Sequence, residues 1–103
     1  MIRFEWDPAK ATSNRRKHGV GFELALHVFD PDALVEHDRI ESGERRWQTL
    51  GLVGGMLLLI VAHTVRFDDE DEAEEIIRII SARKADPKAR QRYEKERQKS
   101  RGR

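Results

Sequence analysis

Arg78 and Arg83 close the two ends of the run Arg78-Ile79-Ile80-Ser81-Ala82-Arg83, and an arginine set among isoleucines needs a chemical reason. A guanidinium is costly to bury unless it is paired or meets a ligand. Two readings are open for Arg78. One is a structural ion pair, with Glu44 or an acid of the 68–75 stretch as partner. The other is a phosphate, which a guanidinium grips through two parallel N–H donors. Arg83 stands where a strand gives way to a loop and can reach solvent. Alternation along the strand puts Arg78 and Arg83 on opposite faces unless a bulge intervenes.

Further cations fit the same chemistry. Arg66 ends another apolar strand, Arg46 precedes Trp47, and Lys84 follows Arg83. On the first helix Lys10, Asn14 and Lys17 share a face, with His18 one turn after Asn14. Trp47 and Tyr93 are aromatic rings on which an exposed base can stack. Together these residue types point to a phosphate-binding surface, with RNA the fitting polyanion.

Rival chemistries lack their residues. The four histidines, at 18, 27, 37 and 63, show no HxH or HxxxH spacing, and there is no cysteine, so neither a metal site nor a cofactor is expected. Gly51, Gly54 and Gly55 are strand and turn glycines, since no GK[ST] follows them. The serines at 13, 42, 81 and 100 stand in no nucleophile-elbow motif. The acidic run from Asp68 lacks the glycine and spacing of a calcium loop and reads as solvated.

A chain of 103 residues, 38% hydrophobic and 38% charged, suits one compact domain with a heavily charged surface. Its net charge of +1 hides segregation. Residues 83–103 hold ten Lys or Arg against three acids, while 68–75 holds seven acids and no base. Such a pattern implies a cationic working surface and a separate acidic segment. The longest apolar run, Met56 to Ala62, is too short for a bilayer, and no signal peptide is visible, so a cytoplasmic protein with no membrane partner is expected.

The elements that must position these residues are legible in outline. Ile2 to Trp6 alternates as a short strand, and Asp7-Pro8 is an N-cap followed by proline, opening a helix that stops at Gly19. A second helix is expected over about Phe22 to Phe29. Strands follow at Leu34–Asp38, Glu44–Val53, Met56–Arg66 and Ile76–Ile80, with Gly54-Gly55 as a two-residue hairpin turn. The strand 56–66, apolar on both faces until His63, should be central. Asp86-Pro87 opens a last helix reaching about Gln98. The expected fold is α+β, in the order β-α-α-β-β-β-β-α, with a mostly antiparallel sheet of four to five strands. Residues 1–94 form the domain and 95–103 a basic tail.

The motifs also carry a resemblance. Phe4-Glu5-Trp6-Asp7-Pro8, Asn14-Arg15-Arg16-Lys17-His18-Gly19, Phe22…Ala25…Val28-Phe29, Arg46-Trp47…Gly51 and Arg78 through Ala85 with Tyr93 follow in order. Together they resemble the BrnT family, the toxin half of bacterial type II toxin–antitoxin pairs, over residues 3–94. The resemblance implies a RelE-like fold and a metal-independent endoribonuclease that inhibits translation. It also implies a BrnA-type antitoxin with a ribbon-helix-helix DNA-binding region, the pair meeting operator DNA through the antitoxin. Carried over, the candidates are Lys17, His18, Arg66, Arg78, Arg83 and Tyr93 as catalytic residues and Arg46 as an RNA contact; Trp47, Lys10 and Lys84 are further RNA contacts expected from the residues themselves. A ribose 2′-hydroxyl would attack the adjacent phosphorus, with arginines stabilising the charge and Lys17, His18 or Tyr93 moving protons. The chain departs from the family pattern at His63, where tyrosine is usual, in its longer acidic loop, and at Ala89, where a glutamate is expected. If that glutamate orients an arginine, the alternative is a non-catalytic module that binds RNA or a partner.

Overall fold

The computed structural model describes residues 1–101, with β1 (Ile2–Glu5), α1 (Pro8–His18), α2 (Phe22–Ala25), a 3-10 turn (Leu26–Val28), β2 (Leu34–Glu41), β3 (Glu44–Val53), β4 (Leu57–Phe67), β5 (Glu75–Lys84) and α3 (Pro87–Arg101). The five strands form one sheet in the order β1-β5-β4-β3-β2, so β4 is central, as its two-sided apolar character requires. Only β1, which pairs with β5, runs parallel to its neighbour. Among the described residues no helix is long and apolar enough to cross a membrane.

Helices cover both faces of the sheet. On the back face, α1, α2 and the 3-10 turn enclose Val20, Phe22, Ala25 and Val28 against Leu59, Val61, Ile77, Ile79 and Ala82. On the front face, α3 lays Ala89 and Tyr93 over Leu50, Leu58 and Ile60. Each buried side chain of Leu or Phe size contributes about 1.5–3 kcal/mol. Gly51 is required by the back layer, since a Cβ there would lie 2.6 Å from the Val28 carbonyl oxygen.

α1 is placed by polar contacts more than by apolar ones. Asp7 caps it by accepting from the Ala9 N–H at 2.9 Å, and Gly19 ends it at φ 72°. Asn14 is buried and donates to the carbonyls of Val20 and Ala82, each at 2.9 Å, while accepting from the Ala82 N–H at 3.1 Å. β1 ends opposite Arg78, so the edge of β5 beyond that point has no strand beside it. Asn14 supplies the missing donor and acceptor there. It is a structural residue, and not part of a cationic face with Lys10 and Lys17.

Several expected boundaries move. The second helix is one α-turn followed by the 3-10 turn and ends at Val28. The β3–β4 hairpin turns through Gly54, Gly55 and Met56, because Val53 pairs with Leu57. β2 and β5 are longer than expected. α3 continues through residue 94 to Arg101, past the expected end at Gln98. The last two residues of the basic tail, 102 and 103, lie outside the described residues.

Candidate nucleic-acid interface

The decisive local feature is a bulge in β5. Thr64 pairs with Arg78 and His63 with Ile79, but Ala62 pairs with Ser81, leaving Ile80 as the extra residue. Ile79 and Ala82, three apart, therefore both enter the back core. Arg78 and Arg83, five apart, consequently share the front face: Arg83 pairs with Ile60, which lies under α3, and Arg78 with Thr64 two pairs further along β4. Arg66 follows on the same face of β4, and Arg46 on β3 pairs with Arg39 there. α3 covers only the part of this face nearest Leu58, so Arg66 and Arg78 lie beside it and open to solvent. Arg83 is half-buried, and Arg46 is mostly covered, with its Nε buried and unbonded among the described residues.

Arg78 is exposed, so the burial problem posed by its isoleucine neighbours does not arise. The structure also gives it no ion pair with Glu44 or the acidic loop. Asp68 and Glu74 pair instead with Arg3, at 3.9 and 3.4 Å. The remaining arginines are engaged. Arg66 donates to Glu5 at 2.6 Å, Arg46 meets Glu41 at 3.1 Å, and Arg83 meets Asp86 at 3.6 Å. Arg78 has no carboxylate partner among the described residues, although Glu5 is its neighbour in the ladder.

Glu5 is the residue that sequence reasoning missed. The Arg66 guanidinium bonded to it, with the charges of Arg66, Arg78 and Arg3, holds its carboxyl below the usual glutamate value. The same contact raises Arg66 further. The alternation in Ile2–Trp6 announced a strand, but nothing local said that this strand would lie parallel beside Arg78. Asp86, the cap of α3, is likewise held low, first by the Ala89 N–H and then by the charges of Arg83 and Arg92.

The other candidates do not join this cluster. Trp47 pairs with His63 on the back face, opposite to Arg46, as alternation demands. Its ring meets His37 edge-on at 5.6 Å, with Arg45 over it at 5.7 Å. Lys84 pairs with Leu59, also a back-face residue. Lys10 is exposed on α1. Lys17 and His18, one turn beyond Asn14, stand by the outer edge of β5, and neither bonds to an arginine of the front face. Tyr93 is buried under α3, its hydroxyl accepting from Arg97 at 3.1 Å. Ala89, where the resemblance led us to expect a glutamate, is a core residue.

His63 belongs to the back face as well. Its Nε2 lies 2.7 Å from Thr49 Oγ1, and burial pushes its pKa down to about 4, opposed weakly by the Thr64 backbone. The ring is therefore neutral at pH 7. Among the described residues no group of three His, Asp or Glu side chains is arranged to hold a metal ion.

Comparison with known proteins accords with this architecture. Residues 6–89 match the family described as the ribonuclease toxin BrnT of type II toxin–antitoxin systems. No curated protein matches the chain. Among solved structures, the chain is similar to the Brucella abortus ribonuclease toxin BrnT, with 23% identity and a TM-score of 0.59. That match covers 84% of this chain and 99% of the other, and it supports the fold. The chain belongs to the BrnT family of ribonuclease toxins of type II toxin–antitoxin systems.

Proposed function

We propose that the open front face binds and cleaves RNA without a metal ion, Arg66, Arg78 and Arg83 gripping phosphates and Arg46 extending the track. One observation carries the reading: the bulge at Ile80 turns Arg78 and Arg83 to the face that already holds Arg46 and Arg66. Arg78 and Arg66 stand on adjacent strands two residues out of register, a Cα separation of roughly 7–8 Å, so both can reach one phosphate. Arg83, about 15 Å from Arg78 along the strand, serves another phosphate.

Glu5 supplies the proton acceptor. The 2′-oxygen attacks phosphorus as its proton passes to the Glu5 carboxylate, and Arg66 and Arg78 stabilise the charge that develops on the phosphorane oxygens. The bond to the 5′-oxygen breaks, leaving a cyclic phosphate and a 5′-hydroxyl whose proton comes from water. Lys17 and His18 guide RNA past the β5 edge toward Arg83, and Tyr93 holds α3 in place. In the cytoplasm such cleavage would inhibit translation. A BrnA-type ribbon-helix-helix antitoxin would neutralise it, the complex reaching operator DNA through the antitoxin.

A second reading, a binding module without cleavage, is favoured by Ala89, which puts no carboxylate under α3 beside Arg83. The discriminating experiment incubates purified protein with RNA in the presence of a chelator. Cleavage by the wild type that falls about 100-fold or more in folded Arg78→Ala and Arg83→Ala proteins supports the nuclease. Intact RNA, with binding that drops steeply as salt rises, supports the module instead.

A further inference from the structure

The helices leave part of the back face uncovered. Beyond Phe29 the sheet opens into a cavity of about 500 Å³, lined by Phe29, Val35, Trp47, His63, Val65 and Ile77. Ile2 and Val35 at its rim are 51% and 56% exposed. A recess of about 340 Å³ shares Pro31 and Ala33 with this cavity and continues round the free edge of β2 to Leu34, Tyr93 and Arg97. Apolar surface rimmed by polar residues suits the docking of a protein partner.

The charge along this groove is one-sided. Asp30 and Glu75 line the cavity, and Asp32 and Glu96 line the recess. The single cation among the lining residues, Arg97, is committed to Tyr93, bonding its hydroxyl at 3.1 Å and lying over its ring at 5.7 Å. Arg45 stands nearby but is spread over Trp47. His63 is neutral and bonded to Thr49. Glu96 already meets Lys99 at 3.7 Å, so an occupant must bring apolar side chains for the cavity and cations for Asp30, Asp32 and Glu75.

We infer that this groove anchors the antitoxin, through an amphipathic segment whose apolar side chains fill the cavity and whose lysines or arginines meet Asp30, Asp32 and Glu75. The inference rests on the toxin–antitoxin reading and moves the contact away from the cationic surface. A second copy of this chain fits less well. Its own basic helix, α3, has cations, but the two residues it gives the core, Ala89 and Tyr93, are already buried, so it offers no apolar anchor. The route also accounts for neutralisation. Leu34 lines the recess, and Glu36, two residues along the same face of β2, pairs with Arg92 at the border of the arginine surface. A segment leaving the recess past Leu34 is delivered to the RNA face.

The test is co-expression of the tagged chain with the protein encoded by the adjacent reading frame, followed by capture. Val35→Glu and Ile2→Glu alter half-exposed positions, and their folding is checked by thermal melting. Each should reduce captured antitoxin at least about tenfold while leaving RNA cleavage at the wild-type level. Arg78→Ala should lose cleavage and keep capture. Full capture by both groove variants overturns the assignment, as does a wild-type chain that captures nothing. A wild-type dimer that becomes monomeric in the groove variants, with capture unchanged, assigns the groove to a second copy and overturns it too. Capture does not depend on cleavage, so a wild type that binds the antitoxin yet leaves RNA intact sinks the nuclease reading alone.

Discussion

Acidification from pH 7 to pH 5 should destabilise this fold chiefly through His63, since the carboxylates held low titrate below that window. The residue is 3% exposed, its Nε2 is bonded to Thr49, and Phe29 packs edge-on at 5.0 Å, while Nδ1 has no hydrogen-bond partner among the described residues. Charging the ring in that setting is unfavourable, which is why its pKa falls from 6.5 to about 4. Between those values the unfolded chain binds the proton and the folded chain does not. Stability is therefore full above about pH 6.5, declines as the pH falls, and has lost the whole contribution below about pH 4. A difference of about 2.5 units corresponds to about 3 kcal/mol in the limit, of which about 2 kcal/mol is lost between pH 7 and pH 5. For a domain of this size that is a fall in Tm on the order of 10 °C. Thermal and urea unfolding of wild type and His63→Phe at the two pH values would measure it. The variant leaves Thr49 without its partner and should be less stable at pH 7, but its decline toward pH 5 should be smaller by about 2 kcal/mol. Equal declines in the two proteins would refute the burial argument.

Three further outcomes are expected. Asn14→Ala removes a donor and acceptor from the bare edge of β5 and leaves buried Ala82 groups unpaired; chemical denaturation should show a loss of about 2–4 kcal/mol. Gly51→Ala drives a methyl group into the Val28 backbone, so the 3-10 turn must shift, at a cost of about 1–3 kcal/mol by the same assay. Glu5→Gln removes a carboxylate held below the usual glutamate value. RNA cleavage should drop by about 10²–10⁴ and lose its decline at acid pH, while stability changes by under about 1 kcal/mol because the pair is solvent-exposed. Wild-type cleavage by a folded Glu5→Gln protein would remove Glu5 from the mechanism.

The sequence by itself determined the elements and their order. Asp7-Pro8 and Asp86-Pro87 each opened a helix, Gly19 closed one, and the unbroken apolar run of β4 placed that strand at the centre. These signals are local, set by backbone geometry and the period of apolar residues. The motifs also sufficed to indicate the family, and the arginines on strands were visible as candidates for phosphate.

Only the tertiary structure decided which of those candidates meet. Whether Arg78 and Arg83 share a face depended on one extra residue, Ile80, and a bulge is fixed by packing on both sides of β5. The parallel docking of β1 put Glu5 beside Arg78 and against Arg66, a contact across 61 positions of sequence that no local pattern encodes. Strand alternation sent Trp47 to the back face, and the core under α3 took Tyr93, two residues whose chemistry alone had suggested the RNA surface. Residue type states what a side chain can do, but the register of strands and the layer on which a helix packs determine what it can touch.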